Sequence, residues 1–192
     1  QSYFIKSSPY FWGGLFKRVS ATIVPHKLLL EAVTNSQQES DIIRPADGWE
    51  SGHVEMELAR AVTAFMHSHS MVAAVGMTKN CDFSGIAKLL DVGGGSACFS
   101  IALALENPEM TCTVMELPAI CELAKEYINE AGVGDQVDTV IVDMFREPWP
   151  KGYDGIFFSN IFHDWSFETC AEIAGSAFNA LSSGGRILLH EM

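Results

Sequence analysis

Residues 89–97 read Leu-Leu-Asp-Val-Gly-Gly-Gly-Ser-Ala, a short apolar run that ends in three consecutive glycines. Lys88 to Val92 has the length and apolar content of a strand, and the residues from Ser96 onward carry a helical composition. Glycine at such a junction allows a tight turn and a close approach of the backbone to a ligand at the helix N-terminus. The same glycines would also serve an ordinary strand-to-helix turn, so this run alone does not specify a ligand. A second apolar run, Cys112 to Glu116, ends in an acid about 20 residues further on, where a carboxylate can accept from both hydroxyls of a ribose. The two positions agree.

Outward from this junction, short apolar runs alternate with amphipathic stretches. Lys88 to Val92, Cys112 to Glu116, Val137 to Val142, Gly155 to Ser159 and Arg186 to His190 read as five strands. Most are continuously apolar rather than alternating, which is the pattern of strands covered on both faces in a parallel sheet. Helices are expected at 96–106, 118–131 and 166–181, with Pro118 in a first turn, Gly132 and Gly134 as a stop, and Ser166 followed by Glu168 as a start. Upstream, apolar residues at 54, 58, 61, 62, 65, 66, 72 and 75 recur at helical spacing, predicting a long helix from Val54 to about Met77. Residues 8–33 hold the aromatic cluster Tyr10, Phe11, Trp12 and Phe16, and 35–52 is polar, with Pro45, Gly48 and Gly52 marking loop. Strand-helix alternation implies right-handed crossovers and a Rossmann-like, doubly wound, mostly parallel α/β sheet. The expected division is a helical connecting or lid segment over 1–52 and a ligand-binding domain over 53–192.

Composition excludes several classes of function. With 192 residues, 48% of them hydrophobic, the chain can bury a core. Twenty-four acids against twelve Lys and Arg give a net charge of −12, with the basic residues scattered singly. No stripe exists to neutralise a phosphate backbone, so neither nucleic acid nor an anionic membrane is expected as a partner. Apolar stretches are broken well short of the ~20 residues of a membrane span, and no basic and apolar leader opens the sequence. The five cysteines are odd in number, lack a CxxC pair and lie in apolar or periodic surroundings, so they are expected to be reduced and buried in a cytoplasmic protein, with no metal site.

The choice of ligand rests on a residue that is missing. A dinucleotide fingerprint wants a third glycine where Cys98 stands, because the pyrophosphate fold needs close helix-strand packing there. Nicotinamide cofactors are thereby disfavoured. A ligand with adenosine but no phosphate, such as S-adenosyl-L-methionine (SAM), needs the glycine turn and the ribose acid only.

Asp91-Val-Gly-Gly-Gly-Ser, Glu116-Leu-Pro, Asp143-Met-Phe, His163-Asp-Trp-Ser and Gly184-Gly-Arg-Ile-Leu-Leu-His-Glu191 occur in this order. As a set they resemble the SAM-dependent small-molecule O-methyltransferases, a family that includes caffeic acid and acetylserotonin enzymes and bacterial natural-product tailoring enzymes. The resemblance covers residues 53–192. It implies that Gly93 and Gly95 wrap the methionine part of SAM, that Glu116 holds the ribose, that Asp143 accepts from the adenine amino group and that Met144 packs on the adenine face. Ser70, in Met66-His67-Ser68-His69-Ser70, matches a position that reaches the cofactor. His163 matches the family's general base, and Glu191 the acid that orients it. Ala97 departs from the glycine common after the turn, and Ser159 and Asn160 stand where many relatives have Lys or Arg.

The implied reaction is methyl transfer to a hydroxyl of a small, aromatic or polyketide-like acceptor, with the upstream Trp, Phe and Met residues as an apolar lid. The rival reading is a SAM-binding module or a repurposed relative that no longer methylates. Relatives also carry an N-terminal dimerisation domain and further elements after the fifth strand. The domain is therefore expected to be cut off after that strand, and a homodimer is expected only if a dimerisation domain lies outside these residues.

Overall fold

In a computed structural model of the chain, residues 2–8, 10–21 and 52–191 are described. The expected loop around Pro45 and Gly48, and the apolar run broken by Pro25, lie outside the described residues, as does most of the expected connecting segment.

Five parallel strands form one sheet: β1 (Lys88–Val92), β2 (Thr111–Glu116), β3 (Val137–Ile141), β4 (Tyr153–Ser159) and β5 (Leu181–His190). Their order is β3-β2-β1-β4-β5, so the chain winds outward in one direction from β1 and then returns to wind in the other. The reversal falls between β1 and β4, and the crevice beyond the carboxyl ends of these strands is where ligands bind in such sheets. The helices are α1 (Gly13–Ala21), α2 (Met56–Asn80), α3 (Cys98–Glu106), α4 (Pro118–Ala131) and α5 (Phe167–Ala180).

Each boundary has a local cause. Pro118 sits in the first turn of α4, and Gly132 closes it with a left-handed φ of 70°. Ser166 caps α5 by accepting from the Thr169 amide at 3.3 Å. The fifth strand begins at Leu181 rather than Arg186, because Leu181 already pairs with Tyr153 before an irregularity in the register brings Arg186 opposite Gly155.

Alternate residues of the central strands feed two cores. Leu89, Cys112, Val114 and Phe157 pack with Phe99, Ile101 and Leu103 of α3, Met71 of α2 and Ile128 of α4. Leu90, Val92, Met115, Ile156 and Phe158 pack on the other face with Ile173 and Ala177 of α5 and with Trp149. This two-sided burial explains the continuous apolar runs. Two expectations are corrected. No residue of β5 is fully buried, and Leu189 is 59% exposed, because among the described residues β5 has a neighbour on one side only. Among the cysteines, Cys98, Cys112 and Cys121 are buried, but Cys170 is only partly so and Cys81, which follows the end of α2, is exposed. Among the described residues, no helix is long and apolar enough to cross a membrane.

The contrast between centre and edge is measurable. Leu90 is fully buried, so Leu90→Ala should cost about 2–5 kcal/mol in chemical denaturation, whereas Leu189→Ala should cost less than about 1 kcal/mol.

Candidate active site

The carboxyl ends of the strands open into a cleft of about 500 Å³. Into it converge the glycine turn after β1, Glu116 at the end of β2, Asp143 and Met144 after β3, and His163 after β4. One side of α2 lines it with Thr63, Met66 and Ser70, residues three and four apart that share a helix face.

Gly93 and Gly95 hold φ values of 66° and 57°, a region that side chains rarely adopt. At Gly93 a side chain would also collide with Ile161, since an added Cβ would lie 2.5 Å from its Cδ1. Ala97 shares the left-handed conformation at φ 64°. Beneath the turn lies Asp91, almost fully buried, with one carboxylate oxygen accepting from the Ser100 hydroxyl at 2.7 Å and the other unpartnered. Burial pushes its pKa up to about 6, against the opposing bond from Ser100.

Glu116 is 9% exposed, and its two oxygens accept from the Gly95 amide at 3.2 Å and the Leu117 amide at 3.0 Å. Burial raises its pKa to about 7, more than those two bonds lower it, and the nearby Asp91 charge adds to the rise. Each oxygen accepts one of these bonds and retains a further lone pair for donors entering the cleft.

Asp143 accepts from the Phe145 amide at 2.9 Å and pairs with Arg146 at 2.6 Å. Burial alone would raise its pKa, but the Arg146 and Phe145 bonds outweigh it and hold the carboxyl below the usual range. Met144 is partly buried against the core below α5, and its carbonyl accepts from the Trp149 indole at 2.9 Å. Ser70 is 3% exposed on the cleft-facing side of α2.

His163 lies in the single turn Phe162–Asp164 after β4, with its side chain 48% exposed. Its Nδ1 is 2.5 Å from Glu191 Oε2. The other oxygen of Glu191 accepts from the Ile161 and Phe162 amides, both at 3.0 Å, so the carboxylate is fixed from two sides. Burial would raise the Glu191 pKa, but the bonds from His163, Phe162 and Ile161 prevail and lower it. An ionised carboxylate only accepts, so Nδ1 donates to it, and in the tautomer this bond selects Nε2 carries the lone pair. Asp164 Oδ1 stands 3.7 Å from Nε2, beyond hydrogen-bond reach.

Three features of the cleft escape a reading of the sequence. Arg146 binds Asp143 across an i,i+3 spacing too common to single out. Trp165 meets Phe145 edge-to-face at 4.6 Å, forming an aromatic wall from two separate loops. His67 reaches Ser96 across 29 residues.

The profile of the O-methyltransferase domain family matches residues 29–192. The chain belongs to this family. It is 31% identical over 99% of its length to the 3-hydroxy-5-methyl-1-naphthoate 3-O-methyltransferase of Streptomyces sahachiroi, covering 54% of that protein. It is also 31% identical, over 73% of its length and 37% of the relative, to the aclacinomycin 10-hydroxylase RdmB of Streptomyces purpurascens. Among solved structures, an O-methyltransferase from neocarzinostatin biosynthesis in complex with S-adenosyl-L-homocysteine (SAH) and 1,4-dihydroxy-2-naphthoic acid superposes with a TM-score of 0.68. That match has 26% identity and covers 73% of this chain and 43% of that one. The chain thus spans about half the length of the first of these relatives and less of the others.

The buried acid yields a stability test with a defined sign. Glu116 holds its proton more tightly folded, at about 7, than at the ordinary 4.5, so its contribution to stability is full below pH 4.5 and is lost as pH rises through 7. Relative to wild type, Glu116→Gln should gain roughly 2–3 kcal/mol between pH 4.5 and pH 8, read by urea denaturation without ligand. Parallel stability-pH curves would contradict the assignment.

Proposed function

We propose that this chain is the cofactor-binding part of an enzyme that moves a methyl group from SAM to a hydroxyl of a small aromatic acceptor. The observation that carries the reading is the His163–Glu191 pair, in which the carboxylate holds Nδ1 and leaves Nε2 facing a cleft whose far side suits an adenosyl ligand. The residues fit that ligand. The open glycine turn leaves room for its amino-acid end, Glu116 has lone pairs for two ribose hydroxyls, and Asp143 and Met144 line the same cleft with a carboxylate to accept from an adenine amino group and a side chain to pack on its ring face. Ser70 closes the cleft from α2 as a further cofactor contact. In this reading residues 53–192 are the SAM-binding domain and 1–52 its connecting or lid segment.

When bound, SAM supplies a sulfonium-activated methyl group. His163 Nε2 accepts the proton of the acceptor hydroxyl, so that the oxygen attacks with full electron density. Glu191 remains ionised, keeps Nδ1 protonated and stabilises the imidazolium that forms. Met66, Phe145 and Trp165 form an apolar and aromatic surface against which a flat acceptor ring can be held, and such orientation lowers the barrier of an in-line displacement. The naphthoate named for the Streptomyces sahachiroi relative and the dihydroxynaphthoic acid named for the solved structure have this shape and chemistry.

A second reading is favoured by one finding, the similarity to a protein named as a hydroxylase. Under that reading the cleft binds SAM without donating its methyl group. The two separate on His163. If the imidazole is the base, His163→Gln should lower kcat about 10²–10⁴-fold and leave SAH affinity nearly unchanged. Turnover near wild type on an acceptor that must be deprotonated would remove His163 from the mechanism. Independently, Glu116→Ala should weaken SAH binding by about 1–3 kcal/mol in calorimetry, and unchanged affinity would remove Glu116 from the ribose site.

A further inference from the structure

Ser96 stands between Gly95 and Ala97, two residues of positive φ, and is itself only 2% exposed. Its hydroxyl meets His67 Nδ1 at 2.9 Å. His67 belongs to α2, on the same turns as Thr63, Met66 and Ser70, which line the cleft. Its ring stacks on Tyr127 of α4, with centroids 4.2 Å apart and planes 22° from parallel. Removal from water pushes the imidazole pKa down to about 4, so the ring is neutral at physiological pH. Next to this stack, Arg60 of α2 makes a two-pronged bond to Glu126 of α4 at 2.7 and 3.0 Å. The imidazole is thus gripped by a helix pair and spends its one described polar bond on the glycine turn.

We propose that His67 is a positioning residue for the cofactor, holding the Ser96 hydroxyl and thereby fixing the Gly93–Ala97 turn against the cleft-facing side of α2. The turn needs an external hold. Ala97 sits in a left-handed conformation that L-residues avoid, and such backbone persists only where its surroundings over-determine it. The backbone bonds made inside the turn, from Ala97 to Gly94 and from Gly93 to Met115, connect it to itself and to β2 but not to α2. The His67–Ser96 bond supplies that link. Both walls that enclose the amino-acid end of the ligand, the turn and α2, are thereby set in one register before the ligand arrives, which lowers the ordering cost of binding. This inference rests on the reading that Gly93 and Gly95 hold the methionine part of SAM.

The test is SAH affinity by calorimetry, with kinetics alongside. His67→Phe keeps the stack on Tyr127 and removes the bond, and it should weaken SAH about tenfold, the equivalent of one hydrogen bond. KM for SAM should rise in step while kcat at saturating SAM stays within about threefold of wild type. His67→Asn places an amide nitrogen near the position of Nδ1 and should recover most of the affinity. Ser96→Ala should show the same loss as His67→Phe, and the double variant no further loss. Should His67→Phe fail to fold, Ser96→Ala, which leaves the α2–α4 packing untouched, carries the test alone. Wild-type affinity in Ser96→Ala overturns the proposal, as does full additivity in the double variant. Glu116→Ala separates the two levels: loss there with none at Ser96 overturns the role of His67 alone, and loss at neither overturns the cofactor site as well.

Discussion

The bond from the Gly95 amide to Glu116 joins the two features on which the cleft depends. It ties the turn after β1 to the end of β2 at 3.2 Å, and it gives a carboxylate that is almost fully buried one of its two backbone donors. A carboxyl in that setting is under tension, since two amides do not replace full hydration and its pKa rises to about 7. Donors entering the cleft relieve the tension. The two cores on either face of the central strands hold the strand ends that carry this turn and this acid in place.

Much of this was legible in the sequence, for reasons that differ by element. The bounds of β1 and α4 follow from local chemistry: an apolar run ended by glycines in one, Pro118 and Gly132 in the other. The Glu116 position follows from strand length and a carboxylate at the strand end. That the sheet ends at the fifth strand was legible from the expected break after it, but the exposure of its individual residues was not, because an apolar strand at an edge reads like one at the centre until its pairing is known. The His163–Glu191 contact spans 28 residues and was reachable only through a family resemblance. His67 and Ser96 both stand in stretches that carry the resemblance, but their contact had no signal, since neither residue type nor spacing distinguishes a histidine that meets a turn from one in a core.

In the proposed reading the acceptor side of the cleft differs in kind from the cofactor side. Glu116 and the turn are fixed by backbone bonds to adjacent strands, whereas Phe145 and Trp165 come from separate loops and meet through one edge-to-face contact. Loops tolerate substitution where strand ends do not.

The central claim is that the cleft transfers a methyl group rather than only binding its donor. The most direct measurement is the fate of SAM carrying an isotopically labelled methyl group, incubated with the protein and a panel of hydroxylated naphthoic acids and phenols. The account predicts label on an acceptor oxygen together with an equal amount of SAH. Saturable SAM binding with no SAH formed on any acceptor would contradict it.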